Sequence, residues 1–331
     1  MSVMTMKEAL NQCLHRAMTT DDTLLVFGED VVGGTDSQNL GGVFGVTKGL
    51  REKFGASRVF DTPISESAFV GMATGAAICG LKPVIEIMFC DFLPVCFDQL
   101  VNQAAKARFL SAGQNSVPMV IRTTMGAGDG SAAMHSQSLA HLLASIPGLK
   151  VGMPATPHDA YDMLNTAIAD PDPVILFEHK GLYDMVGKVS NATPHTPLGS
   201  AHIVKKGSDI TIVAFSAMRH LATGIADTMA QKGVDVEVID PRWIAPLDLD
   251  TITASVKKTG RLLVIDEGAA NLGIASEIIA KTTTHCFKNL KCAPRAITPP
   301  HTPTPYAKNL EKLWLPHQTT IIKTIENMLK L

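Results

Sequence analysis

Short runs rich in Val, Ile, Leu and Phe alternate with longer stretches of helical periodicity along the first half of the chain. Thr23–Phe27, Arg58–Phe60, Pro83–Phe89, Pro118–Thr123, Leu149–Gly152 and Pro173–Phe177 read as strands. Near-continuous apolar runs of this length, separated by helix-like segments, mark strands buried on both faces of a mainly parallel sheet. Ser67–Cys79 is dominated by Ala, Gly and Met without a clean polar face, which predicts a helix buried on all sides. Phe97–Leu110 predicts a second helix, with Lys106 and Arg108 placed late, where cations complement the C-terminal dipole, and Gly113 beyond its end.

The stretch SNATPHTPLG at Ser190–Gly199 holds breakers and almost no large apolar residue, so a linker is expected over 190–200, between a domain at 1–189 and one at 201–331. Alternation restarts with strand patterns at Ile210–Phe215, Val234–Ile239 and Leu262–Ile265, each followed by a helix-like stretch. Ala296–Pro305 is proline-dense and predicts an extended crossing, and Ile321–Leu331 predicts a closing amphipathic helix. The expected class is a two-domain α/β protein.

Composition narrows the function. A chain of 331 residues has material for two buried cores. Lys plus Arg number 29 against 31 for Asp plus Glu, so the formal charge of -2 gives no drive toward nucleic acid or anionic lipid. Charged residues are only 18%, which leaves part of the surface suited to facing another subunit. No apolar run approaches the about 20 residues of a membrane span, and Lys7-Glu8 interrupts any leader-like start, so a cytoplasmic location is expected. The six cysteines show no C-x-x-C pairing and read as reduced, packing residues.

Several local features carry chemistry. Gly126-Ala127-Gly128-Asp129-Gly130-Ser131 follows a strand like a phosphate-cradling turn, yet Ser131 stands where a dinucleotide fold needs its third glycine, and Lys150 lies where it needs an acid. Gly128-Asp129-Gly130 also opens like the thiamine diphosphate magnesium motif, but the downstream Asn is missing from ATPHDA at Ala155–Ala160, so the triplet reads as a flexible loop. In Asp61-Thr62-Pro63-Ile64-Ser65-Glu66, a carboxylate follows a strand and a Pro turn and opens the most hydrophobic helix pattern. Glu66 thus suits either proton sharing from a desolvated site or the capping of helix N–H groups. Glu86 and Glu29-Asp30 are further carboxylates expected at the ligand-binding edge of the sheet, and His135, in Met134-His135-Ser136-Gln137-Ser138, would act from a loop at that edge.

Taken together, GED at 28–30, DTPISES at 61–67, EIMF at 86–89 with Asp91-Phe92, Phe97-Asp98-Gln99, His135-Ser136-Gln137 and Val238-Ile239-Asp240 closely resemble the E1 β subunits of 2-oxo acid dehydrogenases over nearly the full chain. Gly41-Gly42-Val43, Met88-Phe89, Val95-Cys96-Phe97, Ile121-Arg122-Thr123 and TPPHTP at 298–303 look most like acetoin dehydrogenase β subunits, with pyruvate and branched-chain homologues as alternatives.

The resemblance implies an N-terminal transketolase-type pyrimidine-binding domain, a transketolase C-terminal-like domain for subunit and acyltransferase docking, and an α2β2 heterotetramer. Thiamine diphosphate would lie between α and β, its magnesium held by the α subunit, and a lipoyl acyltransferase would accept the acetyl unit cleaved from acetoin or a 2-oxo acid. By the same resemblance Glu66 partners the aminopyrimidine, Phe92 stacks on it, Met88 and Ile64 line the pocket, and Glu29 relays protons. His135 would face the substrate end. A potassium ion, where homologues hold one, maps to Met119, Ala167, Ile168, Asp170 and Asp172. Two other classes stand beside this reading: an assembly subunit whose C-terminal domain mainly docks the complex core, and a nicotinamide enzyme.

Overall fold

The computed structural model describes residues 2–33, 41–190 and 196–330. Its chain divides into two units, Met1–Met125 with Leu142–Leu198, and Gly126–His141 with Gly199–Leu331. Within the stretch expected as a linker, residues 191–195 lie outside the described residues.

The first unit begins with β1 (Ser2–Thr5) and α1 (Met6–Thr20). Thr5 starts α1 with a capping box: the Glu8 N–H donates to Thr5 Oγ1 at 3.3 Å and the Thr5 N–H donates to Glu8 Oε2 at 2.7 Å. Met6, Leu10, Cys13, Leu14, Ala17 and Met18 then form one buried face at helical spacing. There follow β2 (Leu24–Gly28), α2 (Leu50–Phe54), β3 (Val59–Asp61), α3 (Glu66–Ile78), β4 (Lys82–Phe89), α4 (Ala107–Leu110) and β5 (Val120–Met125). After α5 (Ala140–Ala144) come β6 (Lys150–Gly152), α6 (Pro157–Ala169), β7 (Val174–His179) and β8 (Val186–Val189), which pairs antiparallel with β1. Strands of this unit run parallel in the order β6-β7-β5-β4-β2-β3.

Each predicted strand of this unit is present with its ends moved by at most two residues. The helix expected over Phe97–Leu110 is broken. Gln99–Ala104 forms a π-turn in which the Ala105 N–H reaches the Leu100 carbonyl, five residues back, and only after Lys106 does α4 begin. An extra residue in a turn shifts the phase of a side-chain pattern, which periodicity alone does not reveal. Nor is α3 buried all round. Phe69, Val70, Ala73, Thr74 and Ala77 pack inward, whereas Ala68, Met72, Gly75 and Cys79 form an exposed stripe, with Met72 46% accessible.

The second unit contains β9 (His202–Lys205), β10 (Ile210–Ala214), α7 (Ser216–Ala230), β11 (Val236–Asp240), β12 (Trp243–Ala245), α8 (Leu249–Thr259), β13 (Leu262–Ile265), α9 (Ile274–Cys286), β14 (Arg295–Ile297), α10 (Lys308–Trp314) and α11 (Gln318–Lys330). Its sheet runs β14-β13-β10-β11-β9, parallel except for β9. Asp248 caps α8 by accepting the Thr251 N–H at 2.9 Å, and Gly260, in the left-handed region, ends it. Ile210, Ile212, Val238, Leu263 and Ile265 from the sheet meet Met218, Ile225 and Met229 of α7 and Ile321, Ile325 and Met328 of α11 in one buried core.

Candidate active site

In the first unit the chain passes from β2 to β3 on one side and then returns to β4 on the other, so the order of strands reverses at β2. Such a reversal opens a crevice beyond the carboxyl ends of the strands, where open α/β sheets bind ligands. Glu29 directly follows β2, Met88 and Phe89 end β4, and the short loop after β3 delivers Glu66 to the first position of α3.

Glu66 is 6% exposed, yet no described residue donates a hydrogen bond to its carboxylate, so it does not cap α3. Its charge is felt by two neighbours. Burial, then Glu66 and then Asp30, raise the Glu29 carboxyl above its ordinary range. Burial and Glu66 also push the Cys96 thiol up to about 12, so that it stays protonated. Phe92 is half-buried and meets Phe89 edge-on at 6.1 Å; Phe89 meets Phe44 at 5.9 Å, and Phe44 meets Tyr183 at 5.2 Å. Met88 is buried, and its carbonyl accepts the Thr124 hydroxyl. Ile64, two residues before Glu66, is 78% exposed.

Glu86 departs from the edge position expected of it. It is 3% exposed and takes a hydrogen bond from Arg122 Nη1 at 2.6 Å, while Arg122 Nε and Nη2 reach Glu178 at 2.9 and 2.7 Å. The Tyr183 hydroxyl donates to Glu178 Oε2 at 2.7 Å. Burial raises the Glu86 carboxyl and Arg122 opposes it; burial and Glu178 together lift the Tyr183 hydroxyl far above its usual range. The group is a buried ion cluster that spans the neighbouring strands β4, β5 and β7. Arg122 was visible in the sequence only as part of a family motif, and Glu178, Tyr183 and Phe44 carried no local signal at all.

The residues mapped to potassium form one corner, where the Val174 N–H donates to the Met119 carbonyl at 3.0 Å and the Asp170 N–H to the Ala167 carbonyl at 3.2 Å. Ile168 precedes this corner in α6. Lys150 Nζ lies 2.5 Å from Asp170 and 3.3 Å from Asp172, and Arg108 also pairs with Asp172. With both carboxylates matched by tethered cations, an alkali ion here would have to be held by carbonyl oxygens.

His135 belongs to the segment Gly126–His141, which is counted with the second unit, and it is half-buried. The loop before it is not the free loop expected from its glycines. The Ala127 N–H donates to Glu267 Oε1 at 2.5 Å, and the Gly128 and Gly130 N–H groups donate to Glu311 Oε1 and Oε2 at 2.8 and 3.0 Å. Neither carboxylate is near in sequence, so no local spacing announces them. Beside this segment a cavity of about 500 Å³ is lined by residues that include Ala133, Gln137, Glu267, His301, Pro303 and Trp314.

Asp266, which follows β13, is 1% exposed, and its Oδ2 has no hydrogen-bond partner among the described residues. Burial, helped by Glu267 and opposed by the Gly268 N–H, pushes its carboxyl up to about 6. Between about pH 4 and pH 6 the folded chain therefore holds a proton that the unfolded chain has released, and stability falls as pH rises through that window. We expect Asp266→Asn to remove this slope and to be more stable than the parent above pH 6 by on the order of 2–3 kcal/mol. Thermal midpoints measured from pH 4 to 8 check it; parallel profiles would contradict it.

Among the described residues no group of three or more His, Cys, Asp or Glu side chains is arranged to hold a metal ion. No helix among them is long and apolar enough to cross a membrane. What this strand edge offers is a carboxylate without a hydrogen-bond donor among the described residues, a second carboxyl coupled to it, and apolar and aromatic side chains from the end of β4 and the segment after it. That combination can share a proton with a ring nitrogen while presenting a face for stacking.

Comparison with known proteins identifies the fold and the family. A model of the transketolase pyrimidine-binding domain matches residues 2–185, and one of the transketolase C-terminal domain matches residues 199–321. The chain is 45% identical to the acetoin:2,6-dichlorophenolindophenol oxidoreductase subunit beta of Cupriavidus necator, over 99% of this chain and 98% of that protein. It is 42% identical to the mitochondrial pyruvate dehydrogenase E1 component subunit beta-1 of Arabidopsis thaliana, over 97% of this chain and 88% of that one. A split gene transketolase, solved as an inactive beta4 tetramer, shares the fold with a TM-score of 0.78 and 19% identity, covering 99% of both chains. Pattern, sheet topology and full-length likeness converge: the chain belongs to the E1 β-subunit family of the acetoin and 2-oxo acid dehydrogenases, oxidoreductase subunits built on transketolase-type domains.

Proposed function

We propose that the chain is the β half of an E1 component that cleaves acetoin oxidatively and passes the acetyl unit to the lipoyl group of an acyltransferase, with the pyrimidine end of thiamine diphosphate seated at Glu66. The observation that carries the site is the Glu66 carboxylate, buried at the start of α3 with no hydrogen-bond donor among the described residues and coupled to Glu29. A ring nitrogen would supply the missing partner, so the residues present fit the group. When bound, thiamine diphosphate supplies the nucleophilic carbon and the electron sink for C–C cleavage.

The chain's own side chains then divide the remaining work. Glu66 holds the proton at the pyrimidine nitrogen, Phe92 offers its ring for stacking, and Met88 and Ile64 flank the heterocycle. Glu29, its carboxyl already raised, exchanges a proton with Glu66. His135 serves the substrate end. Magnesium and the diphosphate are assigned to the α subunit, and the carbonyl corner near Met119 and Ala167 is the place for potassium if the enzyme uses it. The exposed apolar stripe Ala68, Met72, Gly75 and Cys79 on α3 supports an α partner that covers it.

Acetoin is preferred as substrate because the likeness to acetoin:2,6-dichlorophenolindophenol oxidoreductase subunit beta is full-length at 45% identity; pyruvate is the second reading, on the 42% likeness to a pyruvate dehydrogenase subunit. The test is co-expression with the candidate α subunit and measurement of thiamine diphosphate- and magnesium-dependent reduction of an artificial electron acceptor with acetoin, pyruvate and branched-chain 2-oxo acids. Acetoin is expected to be turned over fastest. A preference for pyruvate changes the substrate and keeps the site, whereas an assembled, cofactor-loaded enzyme that turns over none of them overturns the proposal.

A further inference from the structure

Two buried carboxylates are committed to one short loop. Glu311, in α10, is 1% exposed, and both of its oxygens accept backbone N–H groups, from Gly128 and Gly130; Glu267, after β13, is 7% exposed and accepts the Ala127 N–H. No cation pairs with Glu311 among the described residues, so these amides are what compensates its burial. The loop is shaped to make that possible. Gly126, Gly128 and Gly130 have φ of 97°, 121° and 82°, in the left-handed half of backbone space, which lets the Gly128 and Gly130 N–H groups converge on a single carboxylate. Convergent amides of this kind make an anion-binding concavity, and here the anion is the protein's own side chain. A buried carboxylate that lost them would be left without compensation, so each half of the contact holds the other in place.

We propose that Glu311, supported by Glu267, is a positioning residue: it fixes the loop 126–131 and through it sets the pose of His135, four residues on. The proposal rests on the reading of His135 as the residue at the substrate end. Its reach is long-range in sequence, since the clamp joins α10 and the end of β13 to a loop that follows β5. A displacement of about 1 Å at a reacting group can lower rate by about 100-fold, so loosening of this loop is expected to be felt in transfer.

The test uses the α-complexed enzyme carrying Glu311→Gln. The amide keeps one acceptor oxygen but turns an N–H₂ toward the second backbone donor, so at least one of the two bonds is lost. Hydrogen exchange of the peptide spanning 126–135 should accelerate by about 10-fold. Lipoyl acetylation should slow by about 10- to 100-fold while the KM for thiamine diphosphate stays unchanged. Glu311→Asp, which retains the charge, should recover part of both effects and serves as the second variant should Glu311→Gln fail to assemble. Unchanged exchange in an assembled variant overturns the clamp. Faster exchange with unaltered acetylation overturns the positioning role, and His135→Ala then identifies the cause. If His135→Ala also acetylates normally, the reading of His135 has failed; if it is slow, the loop does not transmit to His135.

Discussion

Glu66→Gln leaves the chain folded and able to assemble, and lowers turnover by about 100- to 10,000-fold. The replacement keeps shape and removes only the ability to hold and release a proton. Because no described residue donates a hydrogen bond to Glu66, no internal bond is broken and the thermal midpoint is expected to hold. A second signature accompanies the loss of rate: Glu29, raised in part by the Glu66 charge, should move back toward the ordinary carboxylate range. Turnover with the artificial acceptor, size-exclusion profiles and cofactor binding are measured on the same preparation. An assembled, cofactor-bound Glu66→Gln enzyme with parental rates would remove Glu66 from the chemistry.

Arg122→Met is expected to cause the largest loss of stability, about 3–5 kcal/mol, by stranding Glu86 and Glu178 in the interior. Both carboxylates are under 4% exposed and Arg122 is their common partner; among the described residues only the Tyr183 hydroxyl remains for Glu178. Burial already raises the Glu86 carboxyl and Arg122 is what opposes it, so without Arg122 the folded chain holds the Glu86 proton more tightly than the unfolded one; the variant should lose more stability as pH rises through neutrality and recover some toward pH 5. Replacing Glu86, Arg122, Glu178 and Tyr183 together with apolar residues of similar size should recover most of the loss, because the desolvation of the ions is then no longer imposed. Denaturation midpoints of the parent, the single variant and the quadruple variant at two pH values decide it. Equal midpoints for Arg122→Met and the parent would show that water reaches the cluster.

Sheet strands were legible because parallel strands covered on both faces must be apolar almost without interruption, and β10, β13 and β4 are written that way. The buried position of Glu66 was legible for a related reason, as a carboxylate placed between a strand end and a small-residue helix. What escaped was whatever depends on partners far along the chain. Glu86 looked like an edge carboxylate because Arg122 lies 36 residues away, and the Gly126–Ser131 loop looked free because Glu311 lies 181 residues beyond Gly130. The π-turn at Gln99–Ala104 escaped because helical periodicity assumes a constant residue count per turn. For α3, composition does not distinguish a helix buried within its own chain from one with a face left bare.

That bare face has a consequence for how the protein can be made. Ala68, Met72, Gly75 and Cys79 lie along one side of α3 with no polar residue among them, and Ile78 beside them is also exposed. Small and apolar side chains in a row give water little to bind, and they give another copy of the same helix a place to lie. Chain synthesised in excess over its partner will therefore tend to self-associate, precipitate or occupy chaperones, and its yield in soluble form will follow the supply of α subunit rather than the strength of its own promoter.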